Sequence, residues 1–181
     1  DGFTLPVTRA GAQALLRDFL AQRLPNFGPY EDVIVSSQPI LYHSLLSPML
    51  NIGLLAPLAV CAAASAEHDA GRAPLNSVEG FVRQIIGWRE FMYACYWREM
   101  PGLREANALG AQQPLPAFYW QPDDAASPLL KLACLRESVQ GVWERGYAHH
   151  IQRLMVLSNW AMLSGVRPHE LNELFLCTFI D

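Results

Sequence analysis

The chain has 181 residues, 51% of them hydrophobic and 17% charged, with 13 Lys and Arg against 17 Asp and Glu and a net charge of −4. That composition supplies a core and excludes an intrinsically disordered chain, and it lacks the overall basic excess of most nucleic-acid-binding domains. The longest apolar run, 52–66, is broken by Gly53 and Pro57, and no basic segment leads into an apolar leader, so a soluble, cytoplasmic protein with no membrane attachment is expected.

Helical periodicity dominates from the start of the chain. Thr8 is placed to cap a helix running to about Arg23 and stopped by Pro25, with 26–30 as a turn-rich loop. Val33-Ile34-Val35 is β-like but too short for a sheet, and 32–46 has no clear pattern apart from a break at Pro39. Pro57 starts a helix to about Glu67. Asn76-Ser77-Val78-Glu79 resembles a capping box that opens a long helix to about Glu99, stopped by Pro101-Gly102.

Residues 103–127 are irregular, with three prolines around Phe118-Tyr119-Trp120. Pro128 opens a helix to about Arg145, and Gly146 is its C-terminal stop. A further helix runs from about Tyr147 to Ser164, stopped by Gly165. A last one, opened by Pro168, continues toward Asp181 with no stop signal. The expected fold is a single all-α domain of about six or seven helices. The chain begins at Asp1 rather than Met and ends inside an apolar helical pattern, so it is expected to be a stretch of a longer protein whose cut apolar face self-associates.

Cys61, Cys95, Cys134 and Cys177 are widely spaced with no C-x-x-C and read as reduced, buried core thiols. Three segments carry chemistry. Ser44-Leu45-Leu46-Ser47-Pro48 offers hydroxyls and amides that can cradle a pyrophosphate; the plain alternative is a helix cap before a proline turn. Trp88-Arg89-Glu90-Phe91 joins a flat apolar ring to a fork-shaped permanent cation, or is simply a buried Trp beside a surface pair. In 147–155, His149, His150 and Arg153 interrupt an apolar helical run, and His149 and Arg153 share one face. Such groups are costly to bury unless a partner satisfies them, which points to an anionic ligand; a structural ion-pair helix is the alternative. Adjacent helical residues diverge by about 100°, so the histidine pair chelates one metal poorly.

Together, Y-H-S-L-L-S-P (42–48), F-V-R-Q-I-I-G-W-R-E-F (81–91) and Y-A-H-H-I-Q-R-L-M (147–155) resemble the cryptochrome/photolyase flavoproteins, and within them the iron–sulfur bacterial cryptochromes and (6-4) photolyases. The first two motifs are seen across the superfamily and the third in the iron–sulfur branch; the resemblance runs in order from Leu5 to Asp181. It implies that residues 1–181 are part of a helical FAD-binding domain, without the N-terminal α/β domain, which would carry a lumazine-type antenna, and without the C-terminal cluster-binding part. FAD would be held by Tyr30, His43, Ser44, Leu45, Leu46, Ser47, Arg89 and Arg153, the last paired with Asp181. Gln84 and Trp88 would face the flipped-out bases of UV-damaged DNA. His149 and His150 would lie beside the lesion, His150 favoured as proton donor because histidine titrates near working pH. Cys134 would be the first of four ligands to a [4Fe–4S] cluster in the intact protein.

The implied activity is light-driven repair of (6-4) photoproducts by an electron from reduced FAD. A blue-light sensor with the same flavin, or an inactive fragment with an incomplete pocket, are the alternatives. Two departures stand out. Gln84 lies four residues before Trp88, not the family's three. Leu174-Phe175 replaces an oxidisable aromatic pair, which leaves Trp143, Tyr147 and Trp160 as candidates for electron transfer.

Overall fold

The computed structural model describes residues 4–36, 38–122 and 131–181. Among them the regular structure is helical, with two isolated β-bridges and no strand, in agreement with the all-α expectation. None of the described helices is long and apolar enough to cross a membrane. The chain divides into two compact units: Asp1–Val33 with Ile40–Trp97 and Asp181, and Ile34–Pro39 with Arg98–Ile180.

In the first unit, Thr8 caps helix α1 (Arg9–Asp18), its Oγ1 accepting the Gly11 N–H at 3.2 Å. A π-helical turn, Phe19–Arg23, leads into α2 (Leu24–Tyr30). Pro25 therefore opens a helix instead of ending one, and 26–30 is helical and not a loop. In the first helical turn the missing proline N–H costs nothing. Short α3 (Ser47–Asn51) and longer α4 (Pro57–Asp69) each begin with a proline in the first turn.

The long helix α5 (Leu75–Glu99) starts one residue before Asn76, so the expected Asn76–Glu79 capping box lies inside the helix and does not open it. The fully buried Ser77 hydroxyl instead accepts the Gly28 N–H at 2.9 Å and donates to the Pro25 carbonyl at 3.3 Å, tying α5 to α2. Phe19, Phe27 and Phe81 meet at centroid distances of 4.7–6.2 Å and join the π-turn, α2 and α5 in one core. Only the first half of α5 is buried; Trp88, Phe91, Tyr93, Tyr96 and Trp97 are exposed.

In the second unit, residues 102–105 and 117–119 form single 3₁₀ turns in the expected irregular stretch. Helix α6 (Ala133–Arg145) ends as expected at Gly146, whose φ of +62° suits glycine; Pro128, its expected opener, lies outside the described residues. A π-helical turn, Gln152–Ser158, runs into α7 (Asn159–Leu163), and Pro168 opens α8 (Pro168–Thr178). The core packs Phe118 and Tyr119 against Leu135, Val139, Leu157 and Leu174. Tyr119 OH donates to the Leu157 carbonyl at 2.8 Å and Trp143 Nε1–H to the Tyr119 carbonyl at 2.9 Å. The expected continuation of the last helix to Asp181 does not occur. Phe179 turns extended, and the Ile180 N–H bonds the Gly146 carbonyl at 2.9 Å.

Candidate functional site

Each unit carries one of the polar constellations. In the first, the segment 40–47 folds with two leucines in the left-handed region, Leu41 at φ 46° and Leu45 at φ 57°. A bulky residue there costs about 1–2 kcal/mol and calls for a reason. The positive φ at Leu45 precedes a right-handed Leu46, the alternation that turns successive N–H groups toward one concavity. Within the turn the Leu46 N–H donates to Ser44 Oγ at 3.3 Å, and Ser47 then opens α3.

His43 is anchored from several sides. Arg23 donates to its carbonyl at 2.9 Å, its Nε2 stands 3.0 Å from the Glu31 carbonyl, and its ring meets Phe27 edge-on. A carbonyl only accepts, so His43 carries a proton on Nε2. Tyr30 stacks on Tyr42, with centroids 5.3 Å apart. Glu31 Oε2 is buried and no hydrogen bond reaches it. From α5, Arg89 Nη2 donates to Asn51 Oδ1 at 2.8 Å, which holds the cation at the end of α3. Gln84 and Trp88 lie exposed one turn apart, Trp88 at 56% exposure and stacked on Phe91.

In the second unit, His149 lies before the helical residues and not among them. Its Nδ1 accepts the Ile151 N–H at 3.1 Å, and its own N–H donates to Gln152 Oε1 at 3.2 Å. This is a reciprocal capping box in which histidine takes the place of Ser or Thr and Gln152 closes the return bond. An accepting Nδ1 puts the proton of the neutral ring on Nε2. His149 is only 3% exposed, and His150 is half-buried. Their rings stack 4.6 Å apart at 25°, so the expected divergence of adjacent helical side chains fails, because His149 is a cap.

Four residues on, Arg153 enters the π-turn, where Ser158 Oγ donates to its carbonyl at 2.8 Å. Its guanidinium lies over the Phe179 ring, 3.9 Å from the centroid. The four-thiol expectation holds only in part: Cys61 is buried, Cys95 intermediate, and Cys134 and Cys177 are exposed.

No family model matches this sequence. It is 40% identical over 181 residues to a (6-4) photolyase of Agrobacterium fabrum, an alignment covering 100% of this chain and 34% of that protein. The fold matches the crystal structure of a bacterial class III photolyase from Agrobacterium tumefaciens with a TM-score of 0.71, at 23% identity, over 96% of this chain and 35% of that one. The chain belongs to the photolyase/cryptochrome family. An uncharacterized protein of Acanthamoeba polyphaga mimivirus is 38% identical over 68 residues, 37% of this chain and 52% of that protein. The photolyase-family chain thus spans about a third of the length of the curated relative it matches throughout.

The marked residues of this photolyase-family chain divide between its units. Tyr30, His43, Ser44, Leu45, Leu46, Ser47, Gln84, Trp88, Arg89 and Asp181 belong to the first; Cys134, His149, His150 and Arg153 belong to the second. Tyr30, His43 and the 44–47 turn are gathered by α2 and the loop before α3, and Arg89 is tied to the same α3. Sequence reading missed Glu31, Gln152 and Phe179, and the role of Asn51. Only Gln152 had a local signal, the spacing of a capping box.

Proposed function

We propose that this sequence forms part of the FAD-binding helical domain of a DNA photolyase that repairs (6-4) photoproducts, with an antenna domain before it and a cluster-binding part after it. The observation that carries the reading is the 40% identity to a (6-4) photolyase along all 181 residues.

The residues suit FAD in both units. In the first, the Ser44 and Ser47 hydroxyls are donors for phosphate oxygens, and Arg89 adds a cation at the far end of α3. His43 and Tyr30 brace the turn, and buried Glu31 Oε2 is an acceptor suited to a ligand hydroxyl. In the second, Arg153 presents a guanidinium suited to the flavin edge, with Asp181 as its family partner. When bound, the flavin supplies light absorption and one-electron chemistry.

The protein's own groups do the rest. Trp88 offers an exposed ring face for a flipped-out base, and Gln84 can hydrogen-bond its edge. The His149 cap fixes the position of His150, which delivers a proton to the lesion base. Among the described residues no cysteine belongs to a set of three or more ligating side chains, and one thiolate cannot hold a cluster. By the family resemblance, Cys134 would be one ligand of a [4Fe–4S] centre that needs further thiolates from the intact protein.

The full-length protein should purify with flavin absorption overlaid on a broad iron–sulfur band and should restore (6-4)-damaged DNA under blue light. Arg153→Ala should weaken FAD retention about ten- to a hundredfold, the value of a charge-assisted contact of about 1.5–3 kcal/mol. Flavin binding without repair of either lesion type would make the protein a light sensor. Unchanged flavin occupancy in Arg153→Ala would remove that residue from the site.

A further inference from the structure

We propose that Phe179 is a positioning residue for Arg153, holding its guanidinium by the face so that its in-plane donors are set for the flavin. This rests on the assignment of Arg153 to the flavin site. The ring is fixed by three independent features. Helix α8 stops at Thr178 and Phe179 turns extended at φ −94° and ψ 138°, which swings the ring off the helix. The Ile180 N–H bonds the Gly146 carbonyl at 2.9 Å, which pins the backbone just beyond it. Phe175 meets the Phe179 ring edge-on, centroids 5.0 Å apart at 71°, which sets its orientation.

Gly146 suits this docking through its φ of +62°, which is strained for any side chain; a Cβ there would also touch Ile180 Cβ at 3.4 Å. On the opposite side, the backbone of Arg153 is set by the π-turn and the Ser158 hydroxyl on its carbonyl. Against the long Arg153 side chain, the Phe179 ring lies 3.9 Å from its Cζ. Stacking engages the flat face of a guanidinium and spends none of its five N–H donors, which lie in the plane. Ordering the side chain beforehand removes part of the entropy that binding would otherwise cost. A contact of this kind is worth about three- to tenfold in affinity.

The test is FAD titration of the full-length apoprotein, read by flavin fluorescence, in Phe179→Leu, Phe179→Trp, Arg153→Ala, Gly146→Ala and the doubles of Arg153→Ala with Phe179→Leu and with Gly146→Ala. Phe179→Leu should weaken FAD about three- to tenfold, and Phe179→Trp should restore it to near the parent. In the Arg153→Ala background Phe179→Leu should change nothing further. Gly146→Ala, which alters neither the ring nor the cation, should behave as Phe179→Leu does in both backgrounds. It keeps the test open should the leucine variant not fold. If Arg153→Ala weakens FAD while Phe179→Leu and Gly146→Ala do not, the flavin assignment stands and the positioning role is overturned. If none of them weakens FAD, the flavin assignment of Arg153 fails as well. Equal weakening by Phe179→Leu with and without Arg153 would make Phe179 a packing residue only and overturn the proposal.

Discussion

Replacing Gly28 by alanine reverses the usual sign of a glycine-to-alanine change in a helix. At an exposed helical site the exchange gains about 0.5–1 kcal/mol, because alanine loses less backbone entropy. At Gly28 an added Cβ would stand 2.7 Å from Ser77 N and 2.8 and 2.9 Å from Asn76 C and O. These are backbone atoms of α5 and cannot swing aside, so α2 and α5 must separate. Overpacking of this kind costs about 1–3 kcal/mol. Separation also strains the 2.9 Å bond from the Gly28 N–H to the buried Ser77 hydroxyl, and leaving those groups unsatisfied costs about 1–3 kcal/mol more. Net of the entropy gain, Gly28→Ala should destabilise by about 1–5.5 kcal/mol, a fall in Tm of about 2–22 °C for a chain of this length. Gly87 on the same long helix is the control. It is exposed, and its nearest neighbour would be Arg83 Cγ at 3.7 Å, so Gly87→Ala should be neutral or slightly stabilising. Thermal unfolding followed by circular dichroism compares the two. A Gly28→Ala protein that melts at or above the parent would refute the close crossing of α2 and α5. Because α2 also presents Tyr30 and the Glu31 carbonyl that holds His43, flavin retention should fall with stability.

Three further outcomes follow from the same geometry. If the proposed function holds, His150→Ala in the full-length protein should lower repair of (6-4) DNA by about 10²–10⁴ with flavin absorbance intact, the usual cost of losing a general acid; full repair by both His149→Ala and His150→Ala would make the pair structural or the protein a sensor. Burial pushes the Tyr119 phenol above its ordinary value, so its contribution to stability is complete below the unfolded value of about 10 and is lost as pH rises beyond it, by up to about 1.4 kcal/mol per unit. Denaturant titrations at rising pH should show that loss, and Tyr119→Phe should reduce its slope. Thiol labelling of the native protein should reach exposed Cys134 and Cys177 first and Cys61 only on unfolding, since burial both covers the Cys61 thiol and raises its pKa; rapid labelling of Cys61 in the native state would contradict the placement of α4 in the core.

What was legible in the sequence was local. The Thr8 cap, the proline starts of α4 and α8 and the glycine stop after α6 each depend on a residue and its near neighbours, and each occurs as read. What was not legible was decided at a distance or by a choice between two local rules. Pro25 satisfies both a helix stop and a helix start, and only the burial of Leu24 and Phe27 around it selects the second. Asn76 sits at capping-box spacing from Glu79, yet the helix has already begun at Leu75, and the neighbouring Ser77 hydroxyl is used by Pro25 and Gly28, about fifty residues away in sequence. The end of α8 has no stop residue, because its stop is the bond from Ile180 to Gly146. His149 was read as a helical residue because capping residues are usually small and oxygen-bearing, whereas here an imidazole nitrogen accepts.

Some of the places where local rules are broken fall in the segments that carry the family resemblance; others, the π-turn Phe19–Arg23 and the exposed Tyr93, Tyr96 and Trp97, lie outside them. Leucine in the left-handed region is poorly suited to positions 41 and 45, where glycine or asparagine would sit without strain. A π-turn at 152–158 gives up the better hydrogen-bond geometry of an α-helix directly beneath Arg153. A 3% exposed histidine caps a helix that serine would cap at less desolvation cost. Trp88 and Phe91 stand exposed in the W-R-E-F motif, although the same helix buries Phe81 and Ile85 just before it. The resemblance comes from residue identity, and the strain and exposure come from backbone angles and burial. At 40–47, 81–91 and 147–155 strain and exposure coincide with the resemblance, which is what the proposed ligand contacts would produce if function and not packing set the choice of residue there.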